Sequence, residues 1–197
     1  MLSLQADSVQ DRKVLEAFSE SQSRIKVMAL VHEKLYASAN LSSIEMETYI
    51  RSLAVHLVQS HAASDRIGLK IDVDQVMLGI DLAIPCGLIL NELLSNALKH
   101  AFPEGKKGEV IIELRPESEQ QLLFVVRDTG IGMPAHLDIG TVDSLGLRLV
   151  GQLIEQLEGH LQVGREGGTT FTIRFPSVLP HTGGAHVERR IHPDRRR

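Results

Sequence analysis

A chain of 197 residues with 43% hydrophobic composition can bury one core of ordinary domain size and a small appendage. A formal net charge of −4 makes no general case for nucleic acid as a partner, and a single cysteine, Cys86, excludes an intrachain disulfide framework. No signal-peptide pattern opens the chain and no uninterrupted apolar run reaches the roughly eighteen residues of a membrane span, so a cytoplasmic protein without a membrane segment is expected.

In chain order, residues 1–40 read as helix with a break near residues 7–11. From Arg12 the apolar positions Val14, Phe18, Ile25, Met28 and Leu35 recur at bundle-like intervals, and neither Gly nor Pro interrupts them. The opening Met1-Leu-Ser-Leu-Gln-Ala reads as the end of an earlier helix packed against this one, so a partial helical hairpin is expected. His32 falls on or beside the seam, where a histidine is most simply a packed residue. Residues 40–43 break the helix, and Ser42 with Glu45 has the form of a capping box. A linker helix over residues 45–61 comes next, with an apolar stripe through Met46, Tyr49, Ile50, Leu53, Leu57 and Val58.

Period-two alternation at Ile67, Leu69, Ile71 and Val73 predicts the first strand of a sheet, and Val76 with Leu78 can start a second, short one. Asp81 is the expected N-cap of a long helix, with Pro85 in its first turn or so and an end near Ala101, before Pro103 and Gly105. Cys86, within it, is most simply a small buried hydrophobe. Strands near residues 110–114 and 122–127 form a hairpin, and the second runs into Asp128-Thr-Gly-Ile-Gly-Met-Pro. Ser144-Leu-Gly-Leu-Arg-Leu-Val opens a helix to about Leu157. Strands at residues 161–163 and 170–175 flank a turn at 164–168. Beyond Pro176 the periodicity stops, and the tail, with five arginines in its last nine residues, reads as disordered and solvated.

The stretch Asn91-Glu-Leu-Leu-Ser-Asn-Ala-Leu-Lys-His-Ala-Phe carries chemistry. At about 3.6 residues per turn, Glu92, Asn96, Lys99 and His100 fall on one side, while Leu88, Leu93, Ala97 and Leu98 give surface to bury. A carboxylate, a carboxamide and an ammonium at these spacings can hold a water or hydroxyl, a divalent metal and a phosphate in one row. Alone, such a face is most simply solvated. Asp128-x-Gly-x-Gly adds a carboxylate at a strand end and two glycines, Gly130 and Gly132, that let a flat ligand approach the backbone. That aspartate can accept a hydrogen bond from an exocyclic amine such as that of adenine, although Asp and Gly are also ordinary turn residues. Gly146, at a helix start, brings N–H groups and the positive helix end toward a phosphate. Thr169, in Gly167-Gly-Thr-Thr-Phe, can hydrogen-bond near the same base, directly or through water. Four such features in this order make an adenine-nucleotide site the expectation.

Their order and spacing resemble the ATP-binding domain shared by gyrase, Hsp90, MutL and the sensor histidine kinases, the GHKL or Bergerat fold, over residues 67–176. Residues 91–102 look like its N box, 128–132 its first glycine box, 145–149 a short second glycine box and 168–171 its closing Gly-Thr-x-Phe. The resemblance implies an α+β fold: a GHKL-type α/β sandwich, with a mixed sheet covered by helices on one face, preceded by a partial helical hairpin. It implies ATP and Mg2+ as cofactors, Asn96 as the Mg2+ ligand, Glu92 as general base or its positional equivalent, and Lys99 as a phosphate contact. Asp128 would meet the adenine amine with help from Thr169. Asn91, His100, Gly130, Gly132, Met133, Leu145, Gly146 and Leu147 complete the implied nucleotide contacts.

Ser23-Arg-Ile-Lys-Val-Met-Ala-Leu-Val-His-Glu-Lys-Leu-Tyr, Leu41-Ser-Ser-Ile and Tyr49-Ile-Arg-Ser-Leu resemble the second dimerisation helix and linker of the HWE-related sensor histidine kinases. The implied division is a partial dimerisation hairpin at 1–40, a linker helix at 41–62, an ATP-binding catalytic domain at 63–177 and a disordered basic tail at 178–197. In that family the phosphorylated histidine lies upstream of a Ser-Leu-Leu-x-Leu-Gln segment. This chain begins inside such a segment, so the acceptor is expected outside it, and His32 does not replace it. Thirteen residues between Gly132 and Gly146, without a phenylalanine motif, agree with a group that lacks an F box; so short a lid implies modest nucleotide affinity. The implied function is the catalytic portion of a two-component kinase: Mg-ATP gives its γ-phosphoryl to a histidine for relay to a response regulator receiver domain, with a homodimer formed through the hairpin. Two other readings stay open. One is a serine kinase of the anti-sigma-factor type, against which the hairpin speaks because those proteins lack it. The other is a non-catalytic, ATP-gated dimerisation module.

Overall fold

The computed structural model describes Phe18 and residues 21–29, 43–60, 66–134 and 144–178. Residues 21–29 are helical and are called α1. The expected break at 7–11, the seam around His32, the proline-free run to residue 40 and the arginine-rich tail lie outside the described residues.

A short strand β1 (Ile44–Glu45) leads into helix α2 (Met46–Gln59). The start of α2 differs from the expected capping box. Glu45 is itself the N-cap, its carboxylate accepting from Glu47 N at 3.0 Å and Thr48 N at 2.8 Å. A carboxylate that folds back over the first turn satisfies two orphan donors and meets the positive helix end, which makes a serine at position 42 unnecessary.

Strand β2 (Ile67–Val73) is next, then β3 (Met77–Leu78), which pairs antiparallel with β1, Ile44 opposite Leu78. This clip sets the start of α2 beside the start of α3 (Ile80–Asn96). The N-cap of α3 is Gly79 rather than Asp81, which lies in the first turn and still complements the positive helix end. Pro85 therefore lies inside the helix, where its missing N–H removes one backbone hydrogen bond. The helix closes in a π-helical turn at Ala97–Ala101, with a 3-10 turn at Pro103–Gly105 after it. The end at Ala101 is legible in the sequence; the widened turn is not, because it has no composition of its own.

Strands β4 (Gly108–Pro116) and β5 (Gln121–Asp128) form the expected hairpin. Helix α4 (Leu145–Gln156) starts at the N-cap Ser144, whose hydroxyl accepts from Leu147 N at 3.5 Å. Strands β6 (His160–Gly164) and β7 (Thr170–Pro176) complete a five-stranded sheet in the order β2-β4-β5-β7-β6. Only the β2–β4 pair is parallel, so the sheet is mixed, as expected.

Alternation along the strands sends one face to the helices. Ile112, Val126 and Phe171 stand side by side across β4, β5 and β7, as do Leu114, Phe124 and Ile173, and all are buried. Each such side chain is worth about 1.5–3 kcal/mol on burial, which makes these rows the main attachment of helices to sheet. Helix α3 runs between α2 and α4 and packs on both. Within Ile80–Ala101 one stretch is long and apolar enough to cross a membrane, but most of that stretch is buried inside the domain, the place of a core helix.

The α2–α3 contact is close. Tyr49 lies over Gly87, where a Cβ would overlap the phenol. Its hydroxyl is buried and has no hydrogen-bond partner among the described residues. Burial raises the Tyr49 pKa, with neighbouring Cys86 a smaller cause of the same sign. Burial also pushes the Cys86 thiol up to about 12, which is the behaviour of a packed hydrophobe and not of a nucleophile.

Candidate functional site

A cavity of about 460 Å³ lies between the end of α3, the loop after β5, the start of α4 and the start of β7. Of the residues expected from sequence, Asn96, His100, Asp128, Gly132, Met133, Leu147 and Thr169 line it. So do Leu93, Ala97, Ala101, Ile131, Pro134, Ser144 and Phe171, which the sequence reading does not single out. Their signal is present in part. Leu93, Ala97 and Ala101 repeat at four-residue spacing beside Asn96 and His100, but apolar residues on a core helix read as packing surface. Asn91, Glu92, Lys99, Gly130, Leu145 and Gly146 do not line the cavity.

At one end stands Asp128. Strand β5 ends there, and its Oδ1 accepts from Gly130 N at 2.8 Å and from Thr169 N at 3.2 Å. The Asp128 N–H donates to the Thr169 carbonyl at 2.9 Å, so the aspartate is tied twice to the residue that precedes β7. Both side-chain bonds use Oδ1; Oδ2 takes none among the described residues. Gly168, at φ +121°, lies directly on the Asp128 carbonyl, where any Cβ would collide. Across the cavity, Ile131 N donates to Ala101 O at 3.0 Å and fixes the glycine loop to the π turn. Gly130 packs against that same carbonyl, which is its place in the site.

At the other end the polar face of α3 divides. Asn91 and Glu92 are buried, and α1 is the reason. Arg24 Nε donates to Glu92 Oε1 at 2.7 Å and Arg24 Nη2 to Oε2 at 3.2 Å, a bidentate pair across 68 residues of sequence. Ser23 Oγ donates to Asn91 Oδ1 at 2.6 Å, and Asn91 Nδ2 to Glu92 Oε1 at 3.2 Å. Gly146 brings the start of α4 against this carboxylate, since a Cβ there would meet Glu92 Oε2. Lys99 and His100, on the π turn, are exposed. Thus Glu92, Asn96 and Lys99 do not form one open row: the first is enclosed, the second lines the cavity and the third lies outside it. The π turn, closing five residues rather than four, rotates the residues after it relative to the α register.

The donor set can be tested against Mg2+. The Asn96 side chain lines the cavity and makes no hydrogen bond among the described residues, and its amide oxygen is the hard donor that Mg2+ accepts. Among the described residues no group of three His, Cys, Asp or Glu side chains could hold a metal ion by itself. One carboxamide suffices for Mg2+ where phosphates and water supply the remaining ligands. The residues present fit.

The fold is a mixed sheet under one helical layer with an aspartate at a strand end beside the cavity, and residues 82–179 match the family described as histidine kinase-, DNA gyrase B-, and HSP90-like ATPase. Residues 1–61 match the family described as histidine kinase. The chain belongs to the sensor histidine kinases, in their HWE-related class, a family of ATP-dependent protein-histidine kinases. It is similar to the sensor histidine kinase PdtaS of Mycobacterium tuberculosis, 33% identical over 89% of this chain and 36% of that protein. It is also similar to blue-light-activated histidine kinase 2 of Erythrobacter litoralis, 30% identical over 81% of this chain and 47% of that one. The solved kinase domain of a blue-light activated histidine kinase of Erythrobacter litoralis superposes with a TM-score of 0.72 at 25% identity, covering 89% of this chain and 90% of that one. This chain spans between about a third and a half of the length of the curated relatives. The match of residues 1–61 weighs against the serine-kinase reading, in which such a segment has no place.

Proposed function

We propose that this chain is the catalytic portion of a two-component sensor histidine kinase, which binds Mg-ATP in the cavity and transfers the γ-phosphoryl to a histidine for relay to a response regulator receiver domain. The observation that carries this reading is Asp128: a buried carboxylate held through Oδ1 by two backbone N–H groups, with Oδ2 uncommitted, in a cavity wall. An acceptor there favours the adenine amine and opposes the guanine carbonyl. Thr169 lies beside it, and Met133 and Leu147 are the apolar flanks of the base.

Asn96 would hold Mg2+ through its amide oxygen; the ion, when bound, neutralises charge on the phosphates. Lys99, on the exposed side of the π turn, is the nearby cation for the phosphate tail, and the start of α4 offers N–H groups with the positive end of the helix. In the reaction an imidazole nitrogen bonds to the γ-phosphorus, the bond to the bridging oxygen breaks, and ADP leaves. Glu92 would orient the imidazole or take its proton. The division into hairpin (1–40), linker helix (41–62), catalytic domain (63–177) and basic tail (178–197), a cytoplasmic location and a homodimer through the hairpin belong to the same reading.

Titration calorimetry with ATP, with and without Mg2+, tests it. Asn96→Ala should lose the Mg2+-dependent part of binding, by about 1.4 kcal/mol or more, tenfold in Kd. An unchanged titration sinks the metal assignment.

A further inference from the structure

We propose that α1 is a latch on the reaction: while docked through Ser23 and Arg24 it withholds Glu92 from an incoming imidazole, and phosphotransfer requires its release. The proposal rests on the part assigned to Glu92 in the proposed function.

Two observations carry it. The first is how completely Glu92 is engaged. A carboxylate offers about four acceptor positions, and three are taken here: two by the Arg24 guanidinium and one by the Asn91 amide. The side chain is buried, and the backbone at Gly146 closes it from the side of α4. An imidazole that needs Glu92 has no approach in this arrangement.

The second observation is what holds α1. Of its described residues, Val27 is fully buried, while Ile25 and Met28 are half exposed, at 52% and 50%. Polar bonds tie it to α3, Ser23 to Asn91 and Arg24 to Glu92, on adjacent residues of both helices. Charge-assisted, bidentate bonds are specific in geometry yet exchangeable for water or another anion, unlike an apolar seam. Among its described residues, the element that blocks Glu92 is thus attached by one buried apolar side chain, Val27, and by polar bonds that can be traded, whereas α3 is anchored in the core by buried residues along its length.

The experiment uses the whole chain with Arg24→Ala, Arg24→Lys and Ser23→Ala, and thermal melting to confirm that each variant keeps the folded domain. Hydrogen exchange of residues 21–29 reads docking. Transfer from labelled ATP to a synthetic helix carrying a single histidine, with kcat and KM separated, reads withholding. Arg24→Ala should speed exchange in α1 about tenfold, raise kcat for transfer by a similar factor and leave the ATP affinity unchanged. Arg24→Lys, which keeps the charge but not the fork, should fall between it and wild type. Unchanged exchange in Arg24→Ala overturns the latch. So does transfer that falls toward the level of Glu92→Gln, for Arg24 would then be positioning Glu92 for the reaction. Faster exchange with transfer present but unchanged overturns the withholding step alone. Faster exchange with no transfer by wild type or variant overturns the kinase reading, and the inference falls with it.

Discussion

Helix α3 is packed in two ways along its length. From Leu82 to Leu90 its described neighbours are apolar: Tyr49 covers Gly87 so closely that no Cβ fits, Cys86 is wholly buried, and the phenol hydroxyl finds no partner among the described residues. From Asn91 to Ala101 the apolar packing continues through Leu93, Leu94 and Leu98, but polar contacts join it, with Ser23 on Asn91, Arg24 on Glu92 and the Ala101 carbonyl on Ile131. The first half lies against a hydroxyl that finds no partner among the described residues; the second pairs its buried Asn91 and Glu92 with side chains of α1, which a movement of α1 can withdraw. One helix therefore carries stability at its beginning and response at its end.

The largest effect should come from breaking the first half. Gly87→Ala puts a methyl group into the Tyr49 phenol and should cost about 3 kcal/mol in urea unfolding, with ATP affinity of the folded fraction unchanged. If affinity falls in step with stability, the two halves are not separable.

Asp128→Asn addresses the other end, with a smaller effect expected. The amide keeps an oxygen for Gly130 N and Thr169 N and replaces the uncommitted oxygen with a donor. Stability should hold, ATP affinity should fall by about 2 kcal/mol, roughly thirtyfold, and GTP should lose less than ATP. Equal losses for the two nucleotides would count against the adenine assignment.

The smallest effect per step of measurement sharpens the comparison through pH. The buried Cys86 thiol holds its proton up to about 12, against an ordinary value of 9.0. Above pH 9 the unfolded chain gives that proton up while the native chain keeps it, so unfolding releases a proton and stability falls as pH rises toward 12. The slope approaches about 1.4 kcal/mol per pH unit. The raised Tyr49 phenol adds to it in the same sense above its ordinary 10.0. Urea midpoints measured across this alkaline range should decline in wild type and less in Cys86→Ala; parallel declines would remove Cys86 as the cause.

How much of the fold was legible in the sequence depends on the range of the physics. The strands and α4 showed because alternation and helical spacing are written in neighbouring residues, and Asp128 showed because Asp-x-Gly-x-Gly carries its local geometry with it. Glu45 as its own cap escaped because a serine three residues earlier offered a more familiar pattern. Gly79 escaped because a glycine cap has no side chain to advertise it. Arg24 left no sign at all: on an amphipathic helix an arginine reads as solvated, and its partner lies 68 residues away. Such a pair exists only once the fold has brought α1 to α3.

The π turn at Ala97–Ala101 is a matter of counting. A turn that closes on the fifth residue stores one residue more than an α turn spans. The backbone can absorb that surplus without moving either neighbour, Asn96 before it or the Ala101 carbonyl that carries the glycine loop after it. A helix one residue shorter here could join the same two points as plain α-helix, but it would carry a different position round to the cavity. The number of residues in this turn, as much as their chemistry, determines that His100 faces the cavity and Lys99 does not.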